Sequence, residues 1–525
     1  MRPAEQASCV RSKYSFLRAL DAGANRTEAR HFLGAGRKQN EDSQVPKKSM
    51  TGGGTIAQWQ GVFFWGFLVV FGLVMLLVSP RARNEDSFFR GYDDKGKPSS
   101  QWMLTSSIFI SWIFAKSVTN AANLGQTYGI VGGLAYAAYW LSIPMAGIVI
   151  YILRTRYGAS GLVSFLTGRY GRTAALAFSA AILVRLYNEI WSNSAVVGGY
   201  YGSDGSWQFI ASASLFSLVV LLYSLKGGLR SAIFTDAIQT VVFVLFMGLV
   251  LALALPSQNL GQLVTEGNFT LAGGVDLLFV ALLQVLSYPF HDPVLTDRGF
   301  ISDAKVMLKA CCWSGALGFL AILAFSLIGV QARLDGLAPS GNVPALVAKS
   351  LGFAASFAML AVMTSSAAST MDSTFASLSK FVGKDLPILA GRDRLKNPVL
   401  VGAFAMIVMA ILGNIPMLAG TDILKATTIS GTMVIGMAPV FLLAPLVRDR
   451  SPWSFHLSFW CGMFCGLGYA MGWFPESWGI GDGKQALLLG VNLYGLLLCT
   501  AGFLLPLALG KLFRVAAPSE EVSRV

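Results

Sequence analysis

Apolar runs long enough to cross a bilayer as helices recur along this chain from residue 61 to residue 510, and charged residues collect between them. A helix rising ~1.5 Å per residue needs roughly 20 apolar residues to cross a hydrocarbon core of about 30 Å. The pattern predicts spans near 61–79, 102–125, 130–153, 174–201, 207–225, 231–255, 275–291, 307–330, 344–379, 398–414, 421–447, 453–474 and 485–510. Thirteen spans put the two ends of the chain on opposite faces of the membrane.

Basic residues orient the chain, because Lys and Arg stay on the cytoplasmic side of short loops. Arg81, Arg83, Arg90, Lys95 and Lys97 follow the first span, and Arg154, Arg156, Arg169 and Arg172 follow the third. Lys226 and Arg230, then Arg298, Lys305 and Lys309, then Lys380, Lys384, Arg392, Arg394 and Lys396, then Arg448 and Arg450 mark every second loop thereafter. The intervening loops carry little beyond Arg333 and Lys484. The first span is therefore expected to begin outside, and the tail 511–525 to end in the cytoplasm of a bacterial-type inner (plasma) membrane. Residues 1–49 oppose this rule: they hold ten Lys or Arg against five acids yet fall on the outer side. They contain no apolar h-region and so are not a secretory signal. They read as a basic disordered tail or as a mis-assigned start, with translation beginning at Met50, which is the reading we favour.

Composition agrees with the pattern. Apolar residues make up 54% of the chain and charged residues 13%, with a mean hydropathy of +0.59; soluble domains do not look like this. The net charge of +13 comes from the inside loops and the basic tail, which points to a lipid bilayer as partner and not to nucleic acid. Cys9, Cys311, Cys312, Cys461, Cys465 and Cys499 show no metal spacing, and Cys461 with Cys465, four apart, reads as helix packing. His31, His291 and His456 are the only histidines, so neither a transition-metal site nor a Ser-His-Asp arrangement emerges, and an enzyme is not expected.

Polar groups inside a span are expensive, so each is weighed as a functional candidate. Ser111 to Gly125 contains Lys116, Ser117, Thr119, Asn120 and Asn123 and fits hydrocarbon poorly; it predicts a discontinuous helix lining a cavity, where small-residue packing would explain the Ala and Ser but not Lys116 or the Asn pair. In Ser365 to Ser373, the residues Ser366, Ser369, Thr370 and Ser373 form one hydroxyl stripe at helical spacing. Such a stripe offers neutral oxygens to a dehydrated sodium ion, or it bonds its own carbonyls one turn back. Arg185 and Glu189 stand four apart, as a structural bridge or as a holder for a charged or dipolar solute.

The order of these segments, together with Tyr223 to Gln239, resembles the sodium:solute symporter family of proline, sugar, sialic acid and pantothenate carriers. The resemblance is carried by Gly227-Gly228 followed by Thr235-Asp236 and Gln239, by Pro293 to Arg298, and by Ser369 to Ser373, and it covers about residues 55–515. It implies an all-α membrane fold with an inverted five-plus-five repeat. An extra N-terminal span (55–80) would precede the first repeat (101–256, spans 2–6), with a second repeat (275–447, spans 7–11) and two C-terminal spans (453–510) after it. The first helix of each repeat would be broken at mid-membrane; Tyr288-Pro289 and His291-Asp292-Pro293 support this in the second repeat.

The resemblance also implies a site for the coupling ion, Na+, made by the carbonyls of Ala115 and Val118 with Ser366, Ser369 and Thr370. A second sodium site would use Asp236, Ser369, Asp372 and Ser373, more acidic here because of Asp372. The solute pocket would be lined by Ser117, Asn120, Asn188, Glu189, Trp191, Gln284 and Tyr288. Lys116 departs from the pattern: its ammonium either takes the place of sodium, giving a proton-coupled or uncoupled carrier, or pairs with Glu189 or Asp372, which keeps sodium coupling favoured. The expected function is sodium-coupled symport of a small polar organic solute by alternating access. A membrane-embedded solute sensor is the rival from another class. Neither the solute nor an oligomeric state follows from the sequence.

Overall fold

The computed structural model describes residues 53–255, 260–339, 341–391, 395–416 and 430–516, with side chains described between 61 and 510. Expectations for residues 1–49, the first part of the span at 421–447 and the end of the 511–525 tail lie outside the described residues. The chain divides after Trp59, and every described side chain belongs to the unit Gln60–Val525.

The described residues are helical almost throughout. Helix α1 (Gly53–Val78) is followed by α2 (Gln101–Trp112), α3 (Ala115–Tyr128), α4 (Ile130–Tyr157), α5 (Arg172–Gly198) and α6 (Trp207–Ala254). Then come α7 (Asp276–Val285), α8 (Ala304–Leu334), α9 (Phe353–Lys380), α10 (Pro398–Leu412), α11 (Met437–Leu442), α12 (Pro452–Ala470) and α13 (Ala486–Ala516). Among the described residues seven helices are long and apolar enough to cross a membrane alone. Part of the difference from thirteen has identifiable causes. Two expected spans run together as α6, and the broken helices divide theirs into halves, each too short by itself. Many large apolar side chains point outward, among them Leu77, Val184, Leu245, Phe404 and Ile411. On this scale such exposure suits a lipid environment and not water.

Straight, the 48 residues of α6 would extend roughly 72 Å, more than twice a hydrocarbon core. They do not run straight: Gly228 sits at φ 54°, ψ −136° and ends one span before the next begins. The double glycine is also needed for space. A Cβ on Gly227 would lie 2.2 Å from the Pro80 carbonyl oxygen, and one on Gly228 2.4 Å from that of Phe88. The segment after α1 is thus pressed into the turn. Arg230 on Asp94 (2.5 Å) ties it there, and Lys226 Nζ on the Leu76 carbonyl (2.7 Å) ties the end of α1 to the same turn. The hydrogen bond from Arg230 holds the exposed Asp94 carboxyl below its ordinary range. Gly228→Ala is expected to destabilise the protein by about 1–3 kcal/mol through strain, and further through the clash. Gly248→Ala, in open space within the same helix, should be neutral or slightly stabilising. Thermal unfolding of the two variants side by side measures the difference, and equal melting curves would remove this role for Gly228.

The first helix of each repeat is broken. Between α2 and α3, Ile113 (φ −84°, ψ 78°) and Phe114 (φ −63°, ψ 142°) leave the helical region with neither Gly nor Pro at the break. After α7, a short turn Tyr288–His291 leads to an extended Asp292 (φ −101°, ψ 99°) and a four-residue helix, Pro293–Thr296. Here Pro289 and Pro293 remove backbone donors and Asp292 caps the Val294 amide at 3.0 Å. Helix α9 packs along α6, and α8 packs along α2, α3 and α4, so both breaks are enclosed by helices.

Candidate functional site

A broken helix leaves carbonyl oxygens without intrahelical donors, and inside a membrane something must satisfy them. At the first break the hydroxyl stripe of α9 does so. Ser366 Oγ donates to the Ile113 carbonyl, and Thr370 Oγ1 lies 3.1 Å from the Ser111 carbonyl and 3.2 Å from its own Ser366 carbonyl. Thr370 thus bonds back one turn, as one reading of the stripe expected, and also reaches across to α2. The break comes earlier than expected: Ala115 and Val118 lie in the first turn of α3, where the Ala115 carbonyl already takes the Thr119 hydroxyl at 3.4 Å. The oxygens that face the stripe are those of Ser111 and Ile113, because unwinding begins at the end of α2.

Ser369 Oγ turns to Asp236 Oδ1. Asp236, fully buried on α6, also accepts from Ser107 (2.5 Å), Ser111 (3.3 Å) and Arg298 Nη2 (3.1 Å). The Arg298 guanidinium, 0% exposed, further donates to Ser107 (2.7 Å), Ser373 (2.6 Å) and the Val294 carbonyl (2.6 Å). A protein cation therefore already sits against Asp236 and Ser373, two members of the set expected to hold a second sodium. Asp372, also 0% exposed, makes no ion pair among the described residues. Its carboxyl meets the hydroxyls of Thr235 (2.9 Å), Tyr223 (3.0 Å) and Ser373 (3.1 Å).

Lys116 pairs with Glu189. Its Nζ lies 2.6 Å from Glu189 Oε1, away from Asp372, and 5.0 Å from the Phe114 ring centre. Glu189 also takes Arg185 Nη1, while Arg185 Nη2 lies 2.8 Å from Asp292 Oδ2. Two cations and two carboxylates, each nearly or fully buried, thus join the first break, α5 and the second break into one neutral quartet. The Tyr288 ring centre lies 5.3 Å from the Arg185 guanidinium and 6.1 Å from the Trp112 ring.

The remaining pocket candidates fall in three places. Ser117 and Asn120 both hydrogen bond the Tyr136 hydroxyl, at 3.3 and 3.2 Å. Asn188 and Trp191, with Arg185 and His291, line a cavity of about 380 Å³ between α5 and α12. Gln284 is bound elsewhere, to Tyr139 (2.8 Å), Thr432 (3.2 Å) and Asn492 (3.1 Å). Glu189 and Tyr288 stand together at the quartet. The sequence reading gave no role to Ser107, Ser111, Trp112, Asp292 or Arg298 in this cluster. An Asp and an Arg within six residues beside an expected membrane helix were the available signal.

No protein-family model matches the chain. It is similar to the sodium/glucose cotransporter 4 of Homo sapiens, 26% identical over 164 residues, 29% of this chain and 23% of that protein. It is 25% identical over 349 residues to the sodium/pantothenate symporter of Haemophilus influenzae, covering 57% of this chain and 69% of that one. The chain thus spans about a quarter of the length of the cotransporter. In fold it superposes on a Na+-coupled sialic acid symporter in its substrate-bound, outward-open state, with a TM-score of 0.68 at 15% identity, over 86% of this chain and 97% of that one. The chain is a multi-pass membrane protein with an inverted-repeat transporter fold. Its likeness is to the sodium:solute symporter family, as Gly227-Gly228 and Thr235-Asp236 with Gln239 indicate.

Proposed function

We propose that this protein is a sodium-coupled symporter that carries a small polar organic solute by alternating access. The observation that carries the reading is the meeting of Ser366 and Thr370 with the unwound carbonyls of Ile113 and Ser111, beside Ser369 on the same stripe. It gathers neutral oxygens from two elements around one break. Sodium there ties α9 to the broken helix and so favours one arrangement of the repeat over the other. Sodium and solute then raise each other's affinity reciprocally.

Charge supports one sodium. Counted as formal charges, Lys116, Arg185 and Arg298 around the two breaks face Asp236, Glu189, Asp292 and Asp372, one acid more than cations. Arg298 stands in for a cation at Asp236, and Asp372 is the acid of the expected second set that keeps no cationic partner among the described residues. The Lys116–Glu189 pair withdraws the ammonium from the unwound carbonyls, which favours sodium over a carrier that uses Lys116 as its cation. The orientation we propose has the first span starting outside and the C-terminus in the cytoplasm of a plasma membrane.

In liposomes, an inward sodium gradient is expected to drive solute uptake that an equal potassium gradient does not. Thr370→Ala should raise the sodium concentration for half-maximal uptake at least tenfold, since it removes one ligand of few. Uptake indifferent to sodium, or a Thr370→Ala curve that overlays the parent, would defeat the sodium reading.

A further inference from the structure

Three buried polar atoms beside the quartet have no partner: Trp112 Nε1, Arg185 Nε and His291 Nε2. All three belong to side chains around one ring, since Tyr288 lies 6.1 Å from the Trp112 ring, 5.3 Å from the Arg185 guanidinium and 4.9 Å from the His291 ring. Buried polar groups in folded proteins are satisfied with few exceptions, and each exception asks what satisfies it.

Their chemistry is specific. Indole Nε1–H and guanidinium Nε–H can only donate. His291 Nδ1 lies 2.6 Å from the Tyr288 carbonyl, which can only accept, so Nδ1 carries the proton and Nε2 of the neutral ring is an acceptor. The unmet groups are therefore two donors, one of them cationic, and one acceptor. The quartet beside them carries no net charge, so a solute of zero net charge enters without leaving an unbalanced ion. Arg185 and His291 also border the cavity of about 380 Å³, in the size range of small-molecule sites.

Resting on the symporter reading above, we infer that the transported solute is a small amino acid: its carboxylate meets the N–H groups of Trp112 and Arg185, and its ammonium donates to His291 Nε2. A sugar or urea would meet the Arg185 Nε–H with a neutral acceptor, whereas a carboxylate there makes the stronger, charge-assisted hydrogen bond. A monocarboxylate without an amine leaves His291 unmet and adds a net charge.

The test uses the full chain in liposomes under a sodium gradient, with pools of the common α-amino acids, glucose, urea and lactate as substrates and competitors. One amino-acid pool is expected to compete at a concentration at least tenfold below that of the other three compounds. Its best member should lose at least tenfold when the amine is trimethylated or the carboxylate amidated. Trp112→Phe, which keeps the ring and deletes the N–H, should raise the half-saturating amino-acid concentration about tenfold while the melting temperature and the sodium dependence stay put. Sodium-driven uptake led by glucose, urea or lactate would leave the symporter standing and overturn the amino-acid assignment, as would derivatives that bind as well as their parent. Absence of sodium-driven uptake for every compound would also overturn the amino-acid assignment.

Discussion

Glu189→Gln is expected to lower stability by about 3–5 kcal/mol, the largest effect of any single substitution among the pocket residues. Glu189 Oε1 lies 2.6 Å from Lys116 Nζ and also takes Arg185 Nη1, while Asn193 Nδ2 lies 3.2 Å from Oε2. A neutral amide keeps the size of the side chain but leaves two buried cations facing Asp292 alone. Removing one partner of a buried pair is costly because the other charge stays out of water. Replacing the pair by apolar groups of similar volume is often nearly neutral. The double variant Lys116→Met with Glu189→Met should therefore recover most of the loss, since Arg185 keeps Asp292 at 2.8 Å. Thermal unfolding in detergent reads both, and a double variant as unstable as Glu189→Gln would show that the quartet does not act through charge balance.

Arg298→Met is the second large effect. It strips Asp236 of its cation in a place with no water access, leaving the Ser107, Ser111 and Ser369 hydroxyls as its donors. A loss of about 3–5 kcal/mol is expected on the same grounds. Asp236→Asn in that background should restore part of it, because the amide keeps hydrogen bonding without a stranded charge. Failure of this second change to help would mean that Arg298 stabilises through its bonds to Val294 and Ser373 and not through Asp236.

Much of the fold was legible along the chain because the membrane imposes a one-dimensional rule: a helix must stay apolar for the thickness of the bilayer. Two expected spans run together as α6, where Gly228, at φ 54° and ψ −136°, turns the backbone at their junction. The second break was legible too, since Pro289 and Pro293 have no amide hydrogen to continue a ladder. The first break was legible only as excess polarity. No Gly or Pro marks Ile113 and Phe114, so its exact place, and with it which carbonyls are freed, depends on hydroxyls arriving from α9 more than 250 residues later.

Pairing among charged groups divides in the same way. Arg185 and Glu189 could be read from helical spacing, because i and i+4 residues share a face. That Lys116 chooses Glu189 over Asp372, that Asp292 completes a neutral set, and that Arg298 reaches Asp236 could not be read, since these partners are 73, 107 and 62 residues apart in sequence. By itself the sequence determined a multi-span helical protein, a hydroxyl stripe and two sites of helix breakage, all consequences of local hydrophobicity and backbone chemistry. Only the tertiary structure decided which oxygens face the stripe and which charges cancel. Coulomb energy and hydrogen bonding depend on distance in space, and the packing of α9, α6 and α5 around the breaks sets that distance.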